Sequence, residues 1–110
     1  MTYVRNMFIY HMQYMILVDY MIPSFKGIQI IPSRAASDEM IKYGLLMEDI
    51  IEILNDGYDC YRRKRKENII ERCIDKKEKT LKVVISKVYY YSLNEEVWIL
   101  THVGKITKRR

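Results

Sequence analysis

The apolar residues of this chain change their spacing near Tyr58. Upstream of it, they recur every three or four positions, as on one face of a helix. Downstream, they alternate with polar residues, as in a strand with one buried face. The alternating segments are 68–74, 80–89 and 97–103. Helices followed by a run of strands predict an α+β domain, in which two helices pack on one face of an antiparallel sheet.

Turn and capping residues divide the upstream half into elements. A β-branched run within 26–31 predicts a first strand. Ser33 can cap a helix over 34–43, and Gly44 is suited to end it in a left-handed conformation. A second helix is expected to begin at Met47. The predicted order of elements is therefore β-α-α-β-β-β.

Residues 1–22 differ from the rest because they are apolar nearly all round and match neither period. We expect an N-terminal extension of uncertain structure over 1–22, followed by a single α+β domain over 23–110. A chain of 110 residues has no room for a second core. The longest apolar stretch, 7–22, is short of the ~20 residues that cross a bilayer, so no membrane contact is expected. The extension is instead a candidate contact in a homo-oligomer.

The chain has two cysteines, Cys60 and Cys73. Two are too few for a disulfide framework, and their spacing matches no zinc motif. We therefore expect a reduced, cytoplasmic protein without a metal ion or other cofactor. The sequence also has no phosphate-binding P-loop, no dinucleotide-binding glycine motif and no hydrolase nucleophile motif.

The net charge of +5 is distributed unequally along the chain. Residues 1–59 carry four Lys/Arg and eight Asp/Glu, whereas 60–110 carry fifteen and six. A basic half of this kind is suited to a phosphate backbone, so RNA is the expected partner, although solvated surface cations give the same composition. The expected nucleic-acid-binding residues are Arg62, Arg63, Lys64, Arg65, Lys66 and Trp98.

Loop lengths suggest how the strands pair. A first hairpin centred on Lys77 would place Arg72 opposite Lys82, and the second hairpin would place Val84 opposite His102. In this register one face of the sheet is mostly apolar and should pack on the helices.

The other face would present Arg72, Lys82, His102 and Trp98 to solvent. Cations stabilise charge that develops on a phosphate, a histidine transfers protons near neutral pH, and an aromatic ring stacks on a base. We therefore expect Arg72, His102 and Lys82 as catalytic residues of an RNA-cleaving surface. In the alternative interpretation, Trp98 fills a second small core and His102 is structural.

Five stretches between Ser33 and Gly104 resemble a known family. They are Glu39-Met40, Lys42-Tyr43-Gly44, Met47-Glu48-Asp49-Ile50-Ile51-Glu52-Ile53-Leu54, Glu71-Arg72-Cys73 and Val97-Trp98-Ile99-Leu100-Thr101-His102-Val103-Gly104. The family comprises small archaeal proteins of unknown function and is similar to the BrnT and RelE-like toxins.

The resemblance implies a RelE-like β-α-α-β-β-β fold whose basic sheet face contacts messenger RNA. It further implies an endoribonuclease of a toxin–antitoxin pair, with an antitoxin-like protein covering the site. The C-terminal helix that many members carry has no counterpart in this sequence. The alternative function is a non-catalytic binding module, an adaptor for a protein partner or for nucleic acid.

Overall fold

The computed structural model of the protein describes residues 22–61 and 66–107. Within these ranges the α+β class is confirmed. The strands are β1 (Ser24–Phe25), β2 (Ile28–Pro32), β3 (Tyr58–Asp59), β4 (Ile69–Lys76), β5 (Lys79–Tyr90) and β6 (Glu95–Thr107). The helices α1 (Arg34–Tyr43) and α2 (Met47–Asp56) lie between β2 and β3. The expectations for an N-terminal extension and an oligomer contact fall almost wholly on residues 1–21, outside the described part of the chain.

Both helices start where local sequence predicts. The Ser33 side-chain oxygen accepts a hydrogen bond from the Ala36 backbone N–H at 3.1 Å, and Gly44 ends α1 with a φ of 67°. At the start of α2, the Asp49 carboxylate accepts a hydrogen bond from the Leu46 backbone N–H at 2.7 Å. A carboxylate in the first turn is also favourable against the helix dipole.

The strand predicted within 26–31 is β2, which begins only at Ile28 because Lys26 and Gly27 form a turn between β1 and β2. Their φ angles are 53° and 75°. Two successive positive φ angles are typical of a tight hairpin turn, and glycine adopts one at little cost.

The six strands form one sheet in the order β1-β2-β6-β5-β4-β3. All neighbours are antiparallel except β2 and β6, which are parallel. The prediction of a purely antiparallel sheet is therefore wrong at this pair. A hairpin forces neighbours to be antiparallel, but β2 and β6 are joined through two helices and three further strands. The two-residue strands β1 and β3 are too short to give an alternating signal in the sequence.

The predicted pairing of Arg72 with Lys82 is wrong by one residue. Lys82 lies opposite Cys73, and Arg72 lies opposite Val83. The turn between β4 and β5 consists of two residues, 77 and 78, so its centre lies between them rather than on Lys77. Because side chains alternate, a shift of one residue moves Arg72 and Lys82 to opposite faces of the sheet.

The pairing of β5 with β6 contains an irregularity that the sequence did not indicate. The predicted pair Val84–His102 is confirmed, but the next pair is Ile85–Leu100, so β6 has one extra residue at this point. Such a bulge reverses the alternation of side chains beyond it. Leu100 and Trp98 therefore share the helix side of the sheet with Ile85.

The hydrophobic core lies between the two helices and this face of the sheet. Its buried members are Phe25, Ile30, Ala36, Ile50, Ile53, Leu54, Leu81, Val83, Ile85, Trp98, Leu100 and Val103. Helical spacing and strand alternation predict six core residues, which are Ile50, Ile51, Leu54, Val83, Ile85 and Ile99. Ile50, Leu54, Val83 and Ile85 are confirmed. Ile51 is half-buried against the core, and Ile99 is half-buried but lies outside it.

Cys60 and Cys73 form a disulfide with a Cα–Cα distance of 5.8 Å. The expectation of two reduced thiols is therefore wrong in this structure. The bond forms because β3 pairs with β4, placing Tyr58 opposite Cys73 and bringing Cys60 within reach. No helix in the described part of the chain is both long and apolar enough to cross a membrane.

Candidate nucleic-acid interface

Arg72 lies on the helix side of the sheet, not on the open face that we predict from the sequence. Its Nε donates to the Asp59 carboxylate at 2.8 Å, and its Nη1 donates to the Leu54 backbone carbonyl at 2.5 Å. Its guanidinium carbon also lies 5.8 Å from the centroid of the Phe25 ring. The Leu54 carbonyl belongs to the last turn of α2, where a cation is favourable. Arg72 therefore joins α2, β3 and β4, a structural role.

Lys82 lies on the opposite face and is paired with a buried acid. Its Nζ is 2.6 Å from Oε1 of Glu71, whose side chain is only 4% exposed. A buried carboxylate needs such a partner, because removing the charge from water without compensation is costly. The Lys82 charge is thus committed to Glu71.

His102 lies at the edge of β6 and is held by Glu39 of α1. Its Nδ1 is 3.0 Å from one Glu39 carboxylate oxygen, and the other oxygen accepts a hydrogen bond from the Val103 backbone N–H at 3.1 Å. Glu39 thus caps the part of β6 that extends past the end of β2. About half of the His102 side chain remains exposed.

The structure brings two of the three predicted catalytic residues to one face. His102 is opposite Val84, and Lys82 is opposite Gly104, so the two are diagonal neighbours on adjacent strands. A Cβ on Gly104 would lie 3.1 Å from the His102 Nε2 atom, so the imidazole ring leans over Gly104. Arg72 is separated from both by the sheet itself.

Trp98 is a core residue. It is 3% exposed, and its indole N–H donates to the Phe25 backbone carbonyl at 3.0 Å. The prediction of an exposed stacking platform is therefore wrong, because the bulge in β6 turns Trp98 toward the helices.

The basic run, residues 62–66, stays a prediction for most of its length. Arg62, Arg63, Lys64 and Arg65 lie outside the described residues. Lys66 is exposed, and its backbone carbonyl accepts a hydrogen bond from the Ile69 N–H at 2.9 Å as the chain enters β4.

A cluster of lysines that we do not predict from the sequence lies at the end of the sheet where β4 turns into β5. An open pocket of about 880 Å³ is found here, and we call it the lysine pocket. Its described lining residues are Lys76, Lys77, Glu78, Lys79, Lys105 and Thr107. The pairing of β5 with β6 brings Lys105 to the turn. The signal in the sequence that indicates the lysine pocket is the presence of three lysines within four residues at a hairpin turn.

The electrostatics of the lysine pocket are favourable for anions. Among the described lining residues, four are cationic and one is acidic. Lys76 Nζ lies 2.6 Å from Oε1 of Glu52, and this hydrogen bond raises the pKa of Lys76 above its usual value. Lys76 is therefore protonated at neutral pH and anchored to α2, while Lys77 and Lys105 are exposed. Lysine ammonium groups bind phosphate oxygens as compact point charges.

No metal centre accompanies these groups: within residues 22–61 and 66–107, no three His, Cys, Asp or Glu side chains are arranged to hold an ion. No protein-family model, curated protein or solved structure matches the chain. The resemblance to RelE-like and BrnT proteins thus rests on the sequence stretches quoted above.

Proposed function

We propose that the protein is an RNA-binding domain that contacts the phosphate backbone through the lysine pocket. The observation that carries the proposal is the convergence of four lysines from β4, β5, β6 and the intervening turn around one concave surface. Contacts of this kind position a nucleic acid and supply affinity without reading its sequence. They fit a binding module better than a catalytic one.

The unequal distribution of charge supports the same proposal. The lysine pocket lies in the half of the chain that carries fifteen Lys/Arg and six Asp/Glu. Lysines that line one pocket face the same bound molecule. Lys77, Lys79 and Lys105 are placed to contact one extended polyanion together, whereas Lys76 is already paired with Glu52.

A RelE-like ribonuclease is the second candidate, and one observation favours it. Lys82 and His102 lie on one face, where His102, oriented by Glu39, could exchange a proton with a ribose hydroxyl. The longer elements β2, α1, α2, β4, β5 and β6 follow the β-α-α-β-β-β order that the resemblance implies, and the two-residue strands β1 and β3 are additional to it. This candidate would bring an antitoxin-like protein as a partner, and Arg72 would act through the fold and not through the substrate.

Fluorescence anisotropy with a single-stranded RNA tests the proposal. The variant Lys77→Asn/Lys105→Ser removes two exposed lysines of the pocket. Its matched control, Lys26→Asn/Lys42→Ser, removes two exposed lysines elsewhere, and Lys26 has the same left-handed backbone as Lys77. Asparagine is suited to both turn positions because it tolerates a positive φ.

We expect the pocket variant to bind RNA at least tenfold more weakly at 50 mM salt and the control to stay within about twofold of the unchanged protein. Loss of two phosphate contacts should also reduce the slope of log affinity against log salt by about 1.4 for a single strand. Equal weakening in both variants would mean that only net charge matters and would refute a localised site. RNA cleavage that is lost on His102→Ala would favour the ribonuclease.

A further inference from the structure

The turn between β5 and β6 carries an exposed aromatic surface, at the opposite end of these strands from the lysine pocket. We call it the tyrosine tip. It consists of Val88, Tyr89, Tyr90, Tyr91 and Leu93, each more than a third exposed. Tyr91 is 86% exposed. Large apolar side chains that are exposed together mark interaction sites more often than chance allows.

The tip projects beyond the neighbouring strands. β4 pairs with β5 only as far as Ser86, and β2 pairs with β6 only from Trp98 onward. In the described structure residues 88–97 pair only with each other. Val97 is buried, and Glu95 and Glu96 line a cavity with Ile28 and Gln29 of β2, so the projecting part of the ribbon is 88–94. A projecting ribbon can enter a concave surface that a flat sheet cannot.

The tip is ordered by its own hydrogen bonds. The backbone N–H groups of Leu93 and Asn94 donate to the carbonyls of Tyr90 and Tyr91 at 3.1 and 3.2 Å. The Tyr89 hydroxyl bonds to the Asn94 side chain, and the Tyr89 and Tyr91 rings meet edge to face with centroids 4.9 Å apart. A surface that is already shaped loses little conformational entropy on binding.

The charge at the tip is acidic. Glu95 and Glu96 follow the turn, and both are exposed. The cation Lys87 lies beside them, with its Nζ 3.9 Å from a Glu96 oxygen and 5.4 Å from the Trp98 ring centroid. Exposed carboxylates repel phosphate, so the tip is unsuited to RNA despite its tyrosines. It is complementary to a surface that is basic and concave.

We infer that the tyrosine tip of one molecule docks into the lysine pocket of a second copy of the chain. Lys79 begins β5 and Tyr90 ends it. A strand of this length spans roughly 35 Å, so a tip cannot reach the pocket of its own molecule. Between copies, Glu95 and Glu96 pair with the pocket lysines, and tyrosine rings lie against their ammonium groups.

The contact is head to tail, because it joins two different surfaces. Such a contact leaves a pocket unfilled at one end and a tip unfilled at the other, so assembly continues as the concentration rises. It also covers the lysines to which we assign RNA. In this respect alone the inference rests on the proposed function: RNA and a second copy compete for one pocket, and self-association regulates access to it.

Sedimentation velocity on the full chain without RNA tests the inference. The tip variant is Tyr91→Ser/Glu95→Lys, and the pocket variant is Lys77→Asp/Lys105→Glu. The unchanged protein should form larger species as its concentration rises at 50 mM salt, and 500 mM salt should reverse this. Each variant alone should self-associate at least tenfold more weakly. A mixture of the two should form dimers and nothing larger, because only one intact tip and one intact pocket remain.

A monomeric unchanged protein, a tip variant that assembles normally, or a mixture that stays monomeric would each overturn the inference. Circular dichroism checks that the variants fold, and Leu93→Ser is a second, milder tip variant with the same expected loss of assembly. RNA binding is measured separately on the tip variant, which keeps its pocket. If the tip variant binds RNA but the unchanged protein does not assemble, the inference fails alone. If the unchanged protein assembles but neither form binds RNA, the proposed function fails alone.

Discussion

Replacing Cys60 with serine should lower the free energy of unfolding by about 3 kcal/mol. The disulfide joins residues 13 apart in sequence. Closing a loop of this size in the unfolded chain removes about 10 cal/mol/K of entropy, which is about 3 kcal/mol at 25 °C. Cys60 is the better position to change, because it is half-buried. Cys73 is 3% exposed, so a serine hydroxyl there would be buried away from water at a cost in stability.

The folded structure around the bond should survive its loss. Arg72 still pairs with Asp59 at 2.8 Å across β3 and β4. The Tyr58 hydroxyl still donates to the Asp75 carboxylate at 3.1 Å. Desolvation, and secondly this hydrogen bond, raise the pKa of Tyr58 above its usual value. The effect of the substitution should therefore come from the unfolded chain more than from a changed fold.

Urea unfolding of three samples measures the effect: the oxidised protein, the same protein reduced with dithiothreitol, and Cys60→Ser. We expect the reduced protein and the variant to unfold together, both about 3 kcal/mol below the oxidised form. If the oxidised and reduced proteins share one midpoint, with mass spectrometry confirming the bond in the first, the loop-closure argument is wrong.

Three further predictions concern packing, the role of Arg72 and the basic run. Gly57→Ala should lower the free energy of unfolding, measured with urea, by about 2 kcal/mol or more, because a Cβ would collide with the backbone carbonyls of Ile53 and Cys73. Gly104→Ala should lower it by less, because the added Cβ meets only a movable histidine ring. Arg72→Ala should lower the free energy of unfolding by about 2 kcal/mol through its lost hydrogen bonds. RNA binding should be unchanged at temperatures where the variant is folded. Unchanged stability with weaker RNA binding would instead show that Arg72 contacts the RNA. Replacing residues 62–66 with serine should flatten the salt dependence of RNA binding if that run contacts phosphates, and an unchanged slope would exclude it.

The helices could be predicted from sequence because their signals are local. Ser33 and Gly44 define the ends of α1 through capping geometry that involves only neighbouring residues. The class of the fold follows from the change of periodicity near Tyr58 for the same reason. No distant contact is needed for either inference.

Which side chains share a face of the sheet could not be predicted, because this depends on two one-residue shifts in strand pairing. The two-residue turn beside Lys77 shifts β4 against β5, and the bulge after Val84 shifts β6. Each event exchanges the two faces beyond it, so Arg72 and Trp98 turn toward the helices. Neither the turn length nor the bulge can be read from the composition or the periodicity of the sequence.

The lysine pocket and the disulfide were missed for a related reason. Lys105 reaches the β4–β5 turn, and Cys60 reaches Cys73, only through strand pairing between distant segments. The sequence places such residues on strands but does not say which strands are neighbours. Long-range register is thus what limits prediction of the site.

Nuclear magnetic resonance of the ¹⁵N-labelled protein, titrated with a short single-stranded RNA at 50 mM salt, tests the central claim most directly. If RNA occupies the lysine pocket, the largest amide shift changes should fall at 76–79 and 105–107, with little change at the turn that contains Lys26. The titration should be done at a protein concentration where self-association is absent. Shift changes confined to the face of Lys82 and His102, or no changes at all, would contradict the assignment of RNA to the lysine pocket.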